Sequence, residues 1–174
     1  MTEAVFITPV GPLRLIAHNE RLLYCNWDSD DCLSKLLKIR NHVINNLDTD
    51  NNRDEIERKV MEETEAQLAE YFEGKRRVFN LPIEAVGTGF QKNVWKALSE
   101  IGYGETLSYS EIARMTGNPK SVRAVANACG ANPCAVILPC HRVITHNNTL
   151  GGYTGGSYRK RFLLELENAH INFF

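Results

Sequence analysis

A chain of 174 residues that is 43% hydrophobic and 24% charged has the make-up of one large or two small globular domains. It has no apolar run near the roughly 18 residues of a transmembrane helix. No basic stretch followed by an apolar core opens it either, so the expectation is an intracellular protein without a membrane partner, cytoplasmic or, in a eukaryote, nuclear. The net charge of −1 hides an asymmetry: residues 1–87 carry 11 Lys/Arg against 16 Asp/Glu, and residues 88–174 carry 9 against 5. A basic half beside an acidic one suits an anionic partner, although chance placement produces the same pattern about as often. The five cysteines form an odd set without a C-x-x-C pair, which fits a reducing compartment.

In chain order, Ala4–Thr8, Leu13–Ala17 and Leu22–Trp27 read as short strands separated by Pro/Gly and His-Asn-Glu turns. The Asp28–Asp31 cluster starts a helix over about Cys32–Ile44, with Leu33, Leu36, Leu37 and Val43 on one face. A polar stretch, Asn45–Arg53, follows. Asp54 is placed to cap a longer helix ending near Phe72, with Ile56, Val60, Thr64, Leu68 and Phe72 at every fourth residue and Gly74 to stop it. Leu81–Gly89 reads as a linker, giving domains 1–86 and 87–174. Beyond it come short amphipathic helices: Phe90–Ile101, Ser110–Met115 after a Gly102–Ser108 turn, and Ser121 to about Cys129. The last two, joined by Thr116-Gly117-Asn118, make a helix-turn-helix candidate, a pairing that also occurs in proteins that never touch DNA.

The chemistry concentrates in Leu138-Pro139-Cys140-His141-Arg142-Val143. The apolar run Ala135–Leu138 reads as a buried strand that Pro139 stops, delivering Cys140 at its end. A cysteine is nucleophilic as thiolate, and an imidazole can take its proton. Neighbours in a strand point to opposite faces, so His141 serves Cys140 only through a turn or a bridging water. An isolated Cys-His pair is more often a structural cysteine beside a surface histidine.

The surrounding motifs change that balance. Pro139-Cys140-His141-Arg142-Val143 resembles the active-site signature of O6-alkylguanine-DNA alkyltransferases. Tyr103–Tyr109 and Gly117–Val125 are similar to that family's helix-turn-helix, Asn132-Pro133 to its asparagine hinge, Gly151–Gly156 to its substrate loop and Lys160–Glu167 to its closing helix. The resemblance is dense from about residue 68 to 167. It implies an N-terminal ribonuclease-H-like α/β domain with a small antiparallel sheet and a C-terminal, mainly helical winged helix-turn-helix domain. It also implies repair by direct reversal: one irreversible transfer of the alkyl group from O6-alkylguanine in double-stranded DNA to the protein's own cysteine, without a cofactor. O4-alkylthymine is left open as a second substrate.

Residue by residue, the resemblance makes Cys140 the acceptor, His141 its base through a water, and Glu167 the group that orients the imidazole. Tyr109 donates toward the leaving guanine or turns the flanking phosphate. Val143, Tyr153 and Thr154 contact the base, Asn132 ties the hinge, and Arg123 takes the place of the flipped nucleotide. Ser121, Ala124, Ala126, Ala128 and Gly130 give the second helix a low profile, suited to the minor groove by a monomer rather than to reading base edges in the major groove. Two departures stand out: Ala126 where the family often has glycine, and Cys129 where a polar or bulky residue is commoner. His18, Cys25, Cys32 and His42 do not reproduce the family's zinc ligands, so no metal is expected. The rival readings are a damage-recognition module, whose relatives replace the acceptor cysteine, and a winged-helix regulator, in which Cys-His has no purpose.

Overall fold

The computed structural model describes residues 1–28, 33–45 and 53–169. The expected helix start over 29–31, Cys32 and the polar stretch 46–52 lie outside them. The chain divides into two compact units, Met1–Val86 and Gly87–Phe174.

The first unit is built on an antiparallel sheet of β1 (Thr2–Thr8), β2 (Gly11–His18) and β3 (Arg21–Trp27), in that order. Two-residue turns fix the register. At the first, the Thr8 hydroxyl accepts from Val10 N at 3.1 Å and donates to Gly11 O at 2.6 Å. At the second, Asn19 and Glu20 sit at φ 46 and 62; two successive positive values give the type I′ turn whose twist matches its strands. Buried Glu57 braces that turn, accepting from Asn19 N at 3.3 Å and lying 3.0 Å from His18 Nδ1.

Two helices cover the sheet's unit, α1 (Leu33–Asn45) and α2 (Arg53–Phe72). Ile39 and Val43 join Ile16, Leu23 and Tyr24 in one core cluster, with Leu36 at its margin. Leu37, expected on the buried face, is exposed, because one residue past Leu36 is about 100° round the helix. Helix α2 begins at Arg53, so Asp54 falls within its first turn. An every-fourth-residue spacing also drifts off one face at 3.6 residues per turn. The buried line is accordingly Glu57, Met61, Thr64, Leu68 and Tyr71. Gly74 ends the helix at φ 74, with Gly74 N donating to Tyr71 O and Lys75 N to Glu70 O. The supposed linker is partly sheet: Leu22 N donates to Pro82 O and Glu84 N to Leu22 O.

The second unit runs α3 (Gly89–Ser99), β4 (Leu107–Ser108), α4 (Tyr109–Met115), α5 (Val122–Gly130), β5 (Val143–Ile144) and α6 (Ser157–Leu166). Capping boxes start two of its helices, Thr88 with Gln91 and Ser108 with Glu111. Its core includes Val94, Leu98, Ile112, Val125, Leu163 and Leu164, all sealed from solvent. Buried Trp95 ties α3 to α5 by donating from Nε1 to Ala128 O at 2.8 Å. A Cβ at Gly87 would come within 2.4 Å of the Trp95 ring, so the chain crosses that ring where only glycine fits. Gly117, at φ 80, turns the chain between α4 and α5, completing the helix-turn-helix. Strands β4 and β5 pair in parallel, Leu107 with Val143 and Ser108 with Ile144. Read as a turn in the sequence, Leu107–Ser108 is too short to show alternation. The classes are the expected ones: a small antiparallel sheet with helices, then a helical unit. No helix among the described residues is long and apolar enough to cross a membrane.

Candidate active site

Cys140 does not end a strand. Residues 135–138 form consecutive tight turns, and Cys140–Arg142 is a single 3-10 turn. Ile137 N donates to Ala135 O at 2.9 Å around Val136, whose φ is 71. That is a γ-turn of the rare positive-φ kind, strained for a β-branched residue by on the order of 1–3 kcal/mol. Cys140 N donates to Leu138 O at 2.8 Å around Pro139, at φ −80 and ψ 62, which is an inverse γ-turn. Proline fixes φ for this bend and lacks the N–H that a strand would use. An apolar run of four residues has the same composition in a strand or in buried turns, so periodicity could not separate them.

Asn132 holds this bent segment from within. Its Nδ2 donates to Leu138 O at 2.7 Å and to Cys140 Sγ at 3.2 Å, while its Oδ1 accepts from Cys134 N at 3.0 Å. The residue is 1% exposed, so these bonds form away from competing water. A donor aimed at sulfur favours the thiolate over the thiol.

Next to Cys140 in the chain, His141 and Arg142 belong to a sealed polar cluster. His141 Nε2 is 2.9 Å from Glu167 Oε1, and His141 Nδ1 is buried with no hydrogen-bond partner among the described residues. Arg142 grips the same carboxylate with Nε on Oε2 and Nη2 on Oε1, both at 2.9 Å, and donates from Nη1 to Ile101 O at 2.5 Å. Burial pushes the Glu167 carboxyl up, but the hydrogen bonds and charges of His141 and Arg142 outweigh it and hold the group well below the usual carboxylate range. Burial also holds the His141 imidazole below its ordinary value; Glu167 opposes that shift without reversing it. The resting cluster is therefore a neutral imidazole beside an Arg–Glu ion pair. The Tyr103–Gly104 corner closes over it: Tyr103 OH donates to Leu166 O at 3.0 Å and Gly104 N to Glu167 Oε2 at 3.3 Å.

In front of Cys140 is a cavity of about 430 Å³, within the roughly 300–1,000 Å³ range of small-molecule sites. It brings Cys140 together with Tyr109, Tyr153 and Thr154. The Tyr109 hydroxyl donates to Gly152 O at 3.2 Å, and burial pushes its pKa up to about 12, so it remains a donor. Thr154 Oγ1 donates to Gly130 O at 3.1 Å, joining the loop to the end of α5.

Other expected residues lie off the cavity wall. Val143 is fully buried in β5, and its carbonyl accepts from Lys160 Nζ at 2.6 Å. Ser121 stands at the start of α5, bonding Asn118 O at 2.7 Å, with Arg123 and Ala124 exposed on the following turn.

Three contributors were not anticipated. Arg142 and fully buried Lys160 lay inside recognised motifs without a role. Lys160 Nζ bonds the carbonyls of Val143, Leu150 and Gly152, and burial lowers its pKa to about 8. Arg159 and Arg161 flank it, so nothing in the sequence marks this one cation as buried. Cys129, noted in the sequence only as a departure, lines the cavity, with burial pushing its thiol up. No group of three or more His, Cys, Asp or Glu able to hold a metal occurs among the described residues.

Comparison with known proteins accords with this geometry. The family profile described as 6-O-methylguanine DNA methyltransferase, ribonuclease-like domain, matches residues 1–85, and that described as 6-O-methylguanine DNA methyltransferase, DNA binding domain, matches residues 89–169. A methylated-DNA–protein-cysteine methyltransferase of Methanosarcina acetivorans is 40% identical over 97% of this chain and 99% of its own. The constitutive protein of that description from Bacillus subtilis is 40% identical over 92% of this chain and 91% of its own. Among solved structures, Mycobacterium tuberculosis OGT in complex with DNA superposes with a TM-score of 0.76 at 38% identity, covering 94% of this chain and 91% of that one. The chain belongs to the 6-O-methylguanine DNA methyltransferase family.

Proposed function

We propose that Cys140 is the residue on which this protein's DNA repair rests: it takes the alkyl group from O6-alkylguanine in DNA, once and irreversibly. Methyl transfer from methylated DNA to a protein cysteine, a direct reversal of damage, is the activity of the relatives, and DNA is the partner. The observation that carries the assignment is the acceptor's setting: Cys140 faces the cavity while its sulfur takes a hydrogen bond from Asn132 and its neighbour His141 is backed by Glu167.

In the step itself, His141 Nδ1 accepts the Cys140 proton by way of a water molecule, and Sγ attacks the alkyl carbon in line with the departing oxygen. The S–C bond forms as the C–O6 bond breaks, the electron pair leaves with the guanine, and Tyr109 supplies a hydrogen bond to the leaving base. The product thioether has no good leaving group, so the protein turns over once. Thr154 and Tyr153 bound the base, and the Val143 strand supports that wall.

Exposed Arg123, with Ser121 and Ala124 beside it on a helix of small residues, suits docking in the minor groove as a monomer, the arginine filling the gap left by a flipped nucleotide. Cys25, Cys129, Cys134 and Cys140, none of them in a disulfide, suit a reducing compartment inside the cell.

The test is intact mass after incubation with an O6-methylguanine duplex, followed by peptide mapping. A gain of about 14 Da on the Cys140 peptide is expected, one methyl on a thiol acceptor. A label on Cys129 or Cys134, or none on folded protein, removes the assignment. Arg123→Ala should slow the duplex reaction about tenfold or more, from roughly 1–3 kcal/mol of lost support for the flipped state, and leave reaction with free O6-benzylguanine nearly unchanged.

A further inference from the structure

We infer that Arg142 is a positioning residue for the transfer: its guanidinium fixes the Glu167 carboxylate so that His141 donates from Nε2 and keeps the Nδ1 lone pair as proton acceptor. The inference rests on the reading of Cys140 and His141 given above. It follows from how the cluster shares its hydrogen bonds. Glu167 Oε1 receives both His141 Nε2 and Arg142 Nη2 at 2.9 Å, and Oε2 receives Arg142 Nε at 2.9 Å and Gly104 N at 3.3 Å. A carboxylate gripped by a guanidinium fork stays ionised and only accepts. Nε2 must then carry the hydrogen, and a neutral imidazole has just one, so Nδ1 is the basic nitrogen.

Arg142 is itself well anchored. It is 6% exposed, bonds Ile101 O and lies with its guanidinium carbon 5.9 Å from the Tyr103 ring centre. Among the described residues, the charged and titratable groups around His141 are Glu167 and Lys160 from the α6 segment, Arg142 and Cys140 from its own turn, and Tyr103 on the far side of Arg142. Glu167 is the one carboxylate among them, and Arg142 neutralises it. Facing Glu167 alone, the imidazole would be drawn into an imidazolium–carboxylate pair and would have no lone pair to offer. With Arg142 in place, its cation forms only after it has taken the Cys140 proton.

The test begins without DNA. In wild-type protein carrying 15N-labelled histidine, NMR at pH 6 should show His141 neutral with its proton on Nε2. In Arg142→Met the His141 titration midpoint should rise by about one pH unit or more, the usual size of a close charge effect. The acid limb of the single-turnover methylation rate should move upward by the same amount, because the base is then protonated at higher pH. Arg142→Lys, which keeps the charge but loses the fork, should fall between the two. A merely structural arginine would lower the rate equally at every pH. A wild-type His141 that is protonated, or carries its proton on Nδ1, overturns the inference, as does an acid limb that stays in place in a folded Arg142 variant. Should Arg142→Met not fold, the wild-type tautomer and Arg142→Lys decide. Should wild-type protein not methylate Cys140, the functional reading fails while the NMR result still judges Arg142.

Discussion

Replacing Glu167 with glutamine removes one negative charge and almost no volume, yet it should be among the most damaging changes available to this chain. The carboxylate is fully buried and accepts from Gly104 N, from His141 and from an Arg142 guanidinium whose side chain is 7% exposed. An amide cannot match the fork, and Arg142 is left as a buried, uncompensated cation. Breaking a buried pair in this one-sided way costs about 3–5 kcal/mol. For a unit of this size, each kcal/mol corresponds to roughly 4–8 °C, so Glu167→Gln should melt at least about 12 °C below wild type at pH 7. The pH dependence carries a sign. Glu167 ionises in the folded state well below its ordinary 4.5, so its contribution is complete above about pH 4.5 and is lost as pH falls through the folded value. The gap between the two proteins should therefore narrow on acidification, because glutamine does not titrate. Circular-dichroism melts of both proteins at pH 7, 5 and 3 measure this directly. Melting temperatures within two or three degrees at pH 7, or a large gap that ignores pH, would refute the electrostatic argument.

Gly104→Ala should act on the same cluster from outside, since its Cβ would lie 2.7 Å from Glu167 O at a φ of 77. A left-handed alanine alone costs about 1–2 kcal/mol, and both stability and transfer rate should fall. Asn132→Ala removes the hydrogen bonds to Leu138 O and Cys134 N, at about 0.5–1.5 kcal/mol each, measurable by urea unfolding. Asn132→Asp should be the slower of the two in methyl transfer, because it sets a negative charge beside the sulfur in place of a donor; equal rates would remove that hydrogen bond from the chemistry. Tyr109→Phe should slow single-turnover transfer about a hundredfold while leaving the pH profile in place below pH 10, because the wild-type phenol titrates only near 12; a displaced profile would make Tyr109 a titrating participant.

The parts legible in the sequence were those with local causes. Strand alternation, the Gly74 stop and the Gly117 turn are written in neighbouring residues, and each appears where those residues place it. Elements depending on distant contacts were not legible. The Cys140 approach read as a strand because Ala-Val-Ile-Leu is apolar in either conformation, and what bends it is Asn132 reaching back to Leu138 O. Leu37 and an every-fourth-residue stripe on α2 leave the buried face because a helical turn holds 3.6 residues, not a whole number. At the site, Cys140, His141 and Glu167 come from motif resemblance; His141 lies against Glu167, and Cys140 lines the cavity. The burial of Arg142 and Lys160 had no local sign, because a cation that satisfies itself on distant carbonyls or one carboxylate looks like any surface charge.

Gly87 bears on how sequence variation in this chain should be weighed. By composition it sits in a polar, glycine-containing joint, the sort of place where substitutions are usually dismissed as neutral. Its missing side chain is the space occupied by the Trp95 ring, and Trp95 in turn holds Ala128, one residue before the cavity wall at Cys129. A larger residue at 87 would lean on the indole and pass the displacement to α5. The tolerance of this protein to change is thus set by reach rather than by distance along the chain or apparent exposure, and a joint that looks free to drift is answerable to the shape of the cavity.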